Sequence, residues 1–134
     1  MDKERADALE KASTDAATEG IKALLILNGG ACLALLIFMS AVMASSGISP
    51  TKAKFTAAAS ISLPFFAIAA GLSVVTCLFA YKANQAYASN LRYPESYPDH
   101  WAIGQRFNRW GVWIAISSLV LFFSGICAFW IRSM

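Results

Sequence analysis

Charge is scarce in this chain. Only 14% of its 134 residues are charged, whereas 57% are hydrophobic, and average soluble domains carry about 25% charged residues. This shortage excludes a disordered polar tail and is not typical of a soluble globular domain. The 3 cysteines and 4 prolines are too few for a disulfide scaffold or a collagen-like chain. The composition therefore predicts an integral membrane protein with a single domain.

Motifs that carry reactive chemistry are also missing. The sequence has one histidine, His100, and contains no HExxH, Walker or GxGxxG motif. Cys32, Cys77 and Cys127 show no CxxC spacing, and cysteines of this kind behave as small hydrophobic residues. We therefore expect no enzyme activity, no metal site and no cofactor.

Three long stretches are free of charge. They are Ala23–Ala44, Phe55–Tyr81 and Trp110–Ile131, with 22, 27 and 22 residues. A transmembrane helix needs about 20 apolar residues to cross about 30 Å of hydrocarbon, so the sequence predicts an all-α fold with three transmembrane helices. None of the three stretches contains Asp, Glu, Lys, Arg or His, which argues against a proton-coupled exporter that uses a membrane-embedded carboxylate.

The distribution of basic residues predicts the orientation in the membrane. Of the 11 lysines and arginines, 4 precede the first stretch, 4 lie between the second and third, and 3 lie on the opposite side. Basic residues near the spans are enriched in cytoplasmic segments. The N-terminus and the connection 82–109 are therefore predicted to be cytoplasmic, and the C-terminus to lie outside.

The polar N-terminal segment, residues 1–22, is a candidate for contact with other proteins. Its first 20 residues carry 6 acidic and 3 basic side chains and no proline, which predicts a polar helix that continues into the first span. The simplest interpretation is a solvated extension. The alternative is an oligomerisation collar or an arm that binds a cytoplasmic protein partner.

The connection 82–109 is expected to be partly helical. Pro94 and Pro98 interrupt it, so the second helix should end near Asn90 and the third should begin near His100, with Asp99 as its N-cap.

Small and weakly polar residues recur at helical spacing in all three spans. Helices in lipid associate through close contact at such residues, so helix packing is one interpretation. The other is that a stripe lines a water-filled path between several copies, since three helices alone enclose no pore. The candidate pore-lining or helix-packing residues are Asn28, Gly30, Ser62, Ser73, Thr76, Ser118 and Gly125.

Pro64 lies inside the second span. Proline removes one helical hydrogen bond and kinks the helix about one turn earlier, near Ser60. A packing kink and a gate hinge are the two interpretations.

Arginines and aromatic residues of the connection form a candidate ligand site. Arg106 and Arg109 are three residues apart on one helix, with Arg92 and Tyr97 before them. They are either orientation signals that reach the lipid headgroups or a cationic pocket for a nucleotide or oligonucleotide.

The segment Leu25–Ala31, which reads LILNGGA, and the following Leu35–Phe38 are similar to small bacterial inner-membrane proteins. The overall plan, a polar N-terminal helix with a few spans and no enzyme domain, resembles membrane effectors of anti-phage systems of the Hailong type. The resemblance implies a bacterial inner-membrane channel that a nucleotide signal opens to depolarise the cell. It carries over no binding residue, and the predicted outside position of the C-terminus leaves the connection or the N-terminal helix to meet a cytoplasmic ligand.

These features together predict a homo-oligomeric bundle of four or more copies in the lipid bilayer, acting as a channel or pore-forming effector. One alternative is a non-catalytic accessory subunit that docks a partner through its acidic N-terminal helix. A second alternative is a holin-like lysis protein.

Overall fold

The computed structural model consists of three long helices joined by two short connections. α1 covers Asp2–Ala44, α2 covers Pro50–Arg92 and α3 covers His100–Ser133. The structure describes residues 2–45, 47, 49–93 and 95–134, without the side chains of 2–10, 12, 13, 16 and 92. Within these ranges every regular element is helical, which confirms the predicted all-α class.

Each helix contains a segment that is long and apolar enough to cross a membrane. These segments are Ala17–Ala44, Pro50–Leu91 and His100–Ser133. Most of their large apolar side chains face outward; Ile26, for example, is 74% exposed. Such a surface is favourable in lipid and unfavourable in water. The chain is therefore a membrane protein with three helices able to span the bilayer.

The helices are longer than the membrane is thick. α1 and α2 each contain 43 residues, or about 64 Å at 1.5 Å per residue, whereas the hydrocarbon core measures about 30 Å. Both helices therefore continue beyond the apolar layer. Residues 2–22 belong to α1 and form no separate helix, and only residues 93–99 of the connection 82–109 lie outside α2 and α3.

The connection between α2 and α3 is a tight turn. α2 ends two residues beyond Asn90, and α3 begins at His100 as expected. Asp99 is the N-cap residue of α3, as predicted, but its side chain makes no capping hydrogen bond. The turn is held instead by Asn90, whose Nδ2 donates to the backbone oxygens of Tyr97 at 2.9 Å and Pro98 at 3.3 Å.

Small residues line the contact between α2 and α3. Intervals of seven residues on α3, and alternating intervals of three and four on α2, keep one face of each helix towards the other, as in a coiled coil. The buried positions that follow these intervals are Gly104, Gly111, Ser118 and Gly125 on α3, and Ala59, Ser62, Phe66, Ala69, Ser73 and Thr76 on α2.

The glycines of α3 permit a close approach of the two helices. A Cβ atom added at Gly104 would lie 2.6 Å from Cε1 of Tyr87, and one added at Gly125 would lie 3.0 Å from Cζ of Phe66 and 3.1 Å from Cβ of Phe65. Because the later glycine meets the earlier part of α2, the two helices run antiparallel. Their shared face is too narrow for a larger side chain at either glycine.

α1 packs against α2 as an antiparallel hairpin and touches α3 at few points. The rings of Phe38 and Phe55 meet edge to face at 6.4 Å. Further from the α1–α2 connection, the Cys32 thiol donates to the backbone oxygen of Leu63 at 3.9 Å. α1 is thus seated on α2, while its side facing α3 stays largely open.

Replacing Gly125 with leucine should destabilise the bundle. Its Cβ would lie 3.0–3.1 Å from atoms of Phe65 and Phe66, closer than ordinary van der Waals contact, and overpacking a helix contact costs about 1–3 kcal/mol. The loss of unfolding free energy is measured by denaturant titration in detergent, with circular dichroism as the signal for unfolding. Gly71→Leu is the matched control, because nothing lies within 4 Å of a Cβ at Gly71; equal destabilisation of both variants would contradict the packing argument.

Candidate functional site

A cluster of polar side chains lies buried where the three helices meet. Asn28 of α1, Ser73 of α2 and Ser118 of α3 each have 0% exposed surface. Asn28 Nδ2 donates to Ser118 Oγ at 3.2 Å and to the backbone oxygen of Leu24 at 2.7 Å. The cluster therefore joins α1 to α3 at a level where the two helices otherwise have little contact.

The two serine hydroxyls share one backbone acceptor. Ser118 Oγ and Ser73 Oγ lie 2.9 Å and 3.0 Å from the oxygen of Ala69, and 3.0 Å from each other. Each hydroxyl has a single hydrogen, so two hydrogens serve three short oxygen–oxygen contacts. At least one hydroxyl donates to Ala69 in every arrangement, and Ser118 Oγ remains able to accept from Asn28.

The amide oxygen of Asn28 is the one incompletely satisfied part of the cluster. Its orientation is fixed by the 2.7 Å contact of Nδ2 with a carbonyl oxygen, because the flipped amide would bring two acceptors together. No donor among the described residues reaches Oδ1, and a buried acceptor without a donor costs about 1–3 kcal/mol. The cluster thus fixes the position of α1 more than it adds net stability.

The other candidate pore-lining or packing residues divide between the interior and the surface. Ser62 and Thr76 are buried, and their hydroxyls donate to the oxygens of Ala58 and Leu72 in their own helix at 2.9 Å. Gly125 is buried against α2. Gly30 is exposed, with nothing within 4 Å of an added Cβ.

Pro64 lies on the exposed surface of α2, and the helix continues on both sides of it. On the preceding turn, the Ser60 hydroxyl donates to the oxygen of Thr56 at 2.9 Å. The hinge role of Pro64 stays a prediction.

Three of the four candidate ligand residues, Tyr97, Arg106 and Arg109, have described side chains. Tyr97 lies in the turn, where its ring contacts His100 with centroids 4.5 Å apart. Arg109 is nine residues into α3, about 13 Å further along the helix axis, and Arg106 is exposed beside it. The side chain of Arg92 lies outside the described residues.

Two open grooves separate α1 from α3, one on each side of the polar cluster. The groove towards the α2–α3 turn, called the turn-side groove, has a volume of about 430 Å³, and the hairpin-side groove has about 280 Å³. Residues that line the turn-side groove include Gly20, Leu24, Ala80, Asn108, Ala115 and Leu119. Residues that line the hairpin-side groove include Ala31, Ala34, Leu35, Ile126, Phe129 and Trp130.

A third hollow adjoins the turn-side groove on the surface of α3. It is shallow and open, and it is lined by residues of α3 alone, namely Gln105, Asn108, Arg109, Val112, Trp113 and Ile116. Asn108, Val112 and Ile116 line both spaces, so the polar hollow and the apolar groove lie on the two sides of one ridge of α3.

Sequence reasoning missed two features of these sites. Gly104 continues the seven-residue repeat of α3, but it lies outside the predicted third span; extending the repeat by one heptad would have found it. The grooves have no local sequence signal, because residues from all three helices form them.

Comparison of the chain with protein-family models, curated proteins and solved structures finds no match. The described residues contain no group of three or more His, Cys, Asp or Glu side chains that could hold a metal ion. Functional inference therefore rests on the chain's own geometry.

A double-mutant cycle should detect the bond between Asn28 and Ser118. We expect Asn28→Ala and Ser118→Ala to be non-additive by about 0.6 kcal/mol, the average for hydrogen bonds between membrane helices, for which the largest coupling is about 1.7 kcal/mol. Denaturant titration of the four proteins in detergent gives this coupling energy.

Ser124→Ala supplies the control for that cycle. Its hydroxyl donates to Val120 O in α3 at 2.9 Å, so its effect should add to that of Asn28→Ala within about 0.5 kcal/mol. Equal coupling of Asn28 to both serines would show that the cluster does not act through the described bond.

Proposed function

We propose that this chain is the subunit of a homo-oligomeric membrane channel, in which the path for ions lies between copies. The observation that carries the proposal is a pair of hydroxyls on the outer face of α3. Ser117 is exposed and Ser124 is half-buried, and they are seven residues, or about 10 Å, apart on one helix face.

The buried polar cluster supports a path outside the single chain. Asn28, Ser73 and Ser118 direct their hydrogen bonds at one another and at backbone oxygens. None of the three has exposed surface, so none of them lines a water-filled path within the single chain. These residues therefore act as packing residues within the channel subunit, and other residues line the pore.

The two outer serines have the chemistry of a polar pore wall. Each hydroxyl donates its hydrogen to the backbone oxygen four residues earlier, Ser117 to Trp113 and Ser124 to Val120, at 2.9 Å. The hydroxyl oxygens keep free lone pairs that can face water or a cation. Several copies around an axis would bring these oxygens into rings, and replacement by apolar side chains would close such a path by dewetting.

Gating by a nucleotide and a role in anti-phage defence stay predictions from the resemblance. Of the four candidate ligand residues, Arg109 lines a described hollow. We propose Arg106 and Arg109 as the anion-binding part of any such gate, because guanidinium groups bind phosphate in a bidentate manner.

The channel proposal predicts that the variant carrying Ser117→Leu and Ser124→Leu loses conductance. Ion flux into liposomes should fall to about a tenth of the wild-type value or less, because leucine side chains from several copies would form an apolar ring that expels water from a narrow pore. The native mass in nanodiscs should stay at four or more copies.

Ser60→Leu is the matched control, because Ser60 is an exposed hydroxyl of α2 with the same backbone bond. Its flux should equal that of the wild type. A monomeric or dimeric native mass, or unchanged flux in the α3 variant, would contradict a pore lined by α3.

The second candidate function is an accessory subunit whose N-terminal arm docks a cytoplasmic protein. The arm is the part of α1 before the apolar span, and its described side chains, from Lys11 to Gly20, are exposed. The ion pair of that region, Lys22 to Glu19 at 2.7 Å, joins side chains of α1 itself. A long helix with exposed side chains is suited to binding another helix.

Deleting residues 1–16 distinguishes the two functions. The accessory function predicts loss of a stoichiometric complex in affinity purification, with membrane insertion unchanged because the apolar spans remain. The channel function predicts retained flux in liposomes that contain only this chain. A variant in which an uncharged Ala/Gln helix of equal length replaces the arm separates the effect of the arm's side chains from the effect of its length.

A further inference from the structure

The turn-side groove between α1 and α3 has the dimensions of a site for one lipid chain. It extends from Asn108 to Leu119 of α3, which is about 16 Å along the helix. Half of the hydrocarbon core measures about 15 Å. The groove therefore has the depth of one leaflet.

The groove ends in the middle of the bundle because the polar cluster closes it. Leu24 lines the groove, and its backbone oxygen accepts the Asn28 amide at 2.7 Å. Leu119 lines it too, directly after Ser118, which binds Asn28. A chain that enters from the side of the α2–α3 turn would stop at this level.

Small side chains keep the groove open. Its floor includes Ala80 and Thr76 from α2 and Gly111 and Ala115 from α3, while α1 contributes Gly20 at its mouth. Larger residues at these positions would fill the space that separates α1 from α3. An apolar groove of this kind in a membrane is filled by either a lipid chain or another helix.

The polar end of the groove favours a lipid with an anionic headgroup. Arg109 lies in the adjoining hollow with Gln105 and Asn108, one residue before the charge-free stretch that begins at Trp110. That position is the headgroup level of the membrane. Among the described residues the ion pair found is Lys22 with Glu19, so no described carboxylate neutralises Arg109.

We propose that the turn-side groove binds one acyl chain of an anionic phospholipid, whose phosphate lies against Arg109. Gln105 and Asn108 supply amide donors for the remaining phosphate oxygens, and Trp113 completes the hollow at the interface. Basic pockets between membrane helices are known to bind anionic headgroups. The site belongs to a single chain and does not depend on the channel proposal.

Native mass spectrometry of the full chain, released from detergent after titration with added lipid, tests the site. We expect one molecule of phosphatidylglycerol to bind more tightly than phosphatidylcholine with identical acyl chains. Arg109→Gln should weaken phosphatidylglycerol binding about fivefold, the effect of one basic residue near the headgroups, and should leave phosphatidylcholine binding unchanged.

Two further variants test the apolar part of the site. Ala115→Phe should abolish binding of the single lipid, because its ring would occupy the groove. Ala34→Phe places the same ring in the hairpin-side groove and should leave the lipid bound. Arg132→Gln removes a charge from the opposite end of α3 and should also have no effect.

Three outcomes would overturn the proposal. Equal affinity for the two lipids would show that Arg109 does not recognise the headgroup. Unchanged lipid binding in Ala115→Phe would show that the acyl chain does not lie in the groove. The third outcome is an oligomer that binds no lipid and that dissociates to a lower native mass when it carries Ala115→Phe. In that case the groove is an interface between copies. Circular dichroism of each variant confirms that helix content is retained, so that a loss of binding reports on the site.

Discussion

The close antiparallel contact of α2 with α3 is the constraint on which the rest of this structure depends. In lipid, apolar side chains gain nothing by leaving the surrounding hydrocarbon, so helices hold together through close backbone approach and hydrogen bonds. Gly104, Gly111 and Gly125 provide that approach along the length of α3. Because α3 packs closely against α2, α1 packs mainly on the remaining face of α2 and contacts α3 at few points.

The polar cluster follows from this arrangement. α1 packs on α2 and reaches α3 through Asn28 and Ser118, midway between two grooves. One interhelical hydrogen bond therefore ties α1 to α3 at the level that lies between the two grooves. The unsatisfied oxygen of Asn28 is consistent with a cluster that specifies position at some cost in stability.

Much of the fold could be predicted from the sequence, because helix ends and apolar lengths are local properties. The start of α3 at His100 and the extension of α2 beyond the membrane follow from proline positions and charge. Asn28 stood out because an amide in an apolar stretch needs a partner. The proposed grouping of Tyr97 with Arg109 stays a prediction, with Tyr97 before the start of α3 and Arg109 more than two turns into it. This separation already follows from the predicted start of α3 near His100, which lies between the two residues.

The sequence by itself determined three charge-free helices, their order and the small-residue repeat of α3, since each of these depends on the residues of one segment. It did not determine which surface each stripe faces. Ser118 and Ser117 are neighbours with identical chemistry, yet one is fully buried and the other is exposed. An apolar face of a membrane helix can contact lipid, a second copy of the chain or another helix of the same chain. All three are apolar, so the hydrophobic periodicity of the sequence does not show which of them the face contacts. The tertiary structure decided this point, because only the packing of α2 between its two neighbours turns one side of each helix inward and leaves the grooves open.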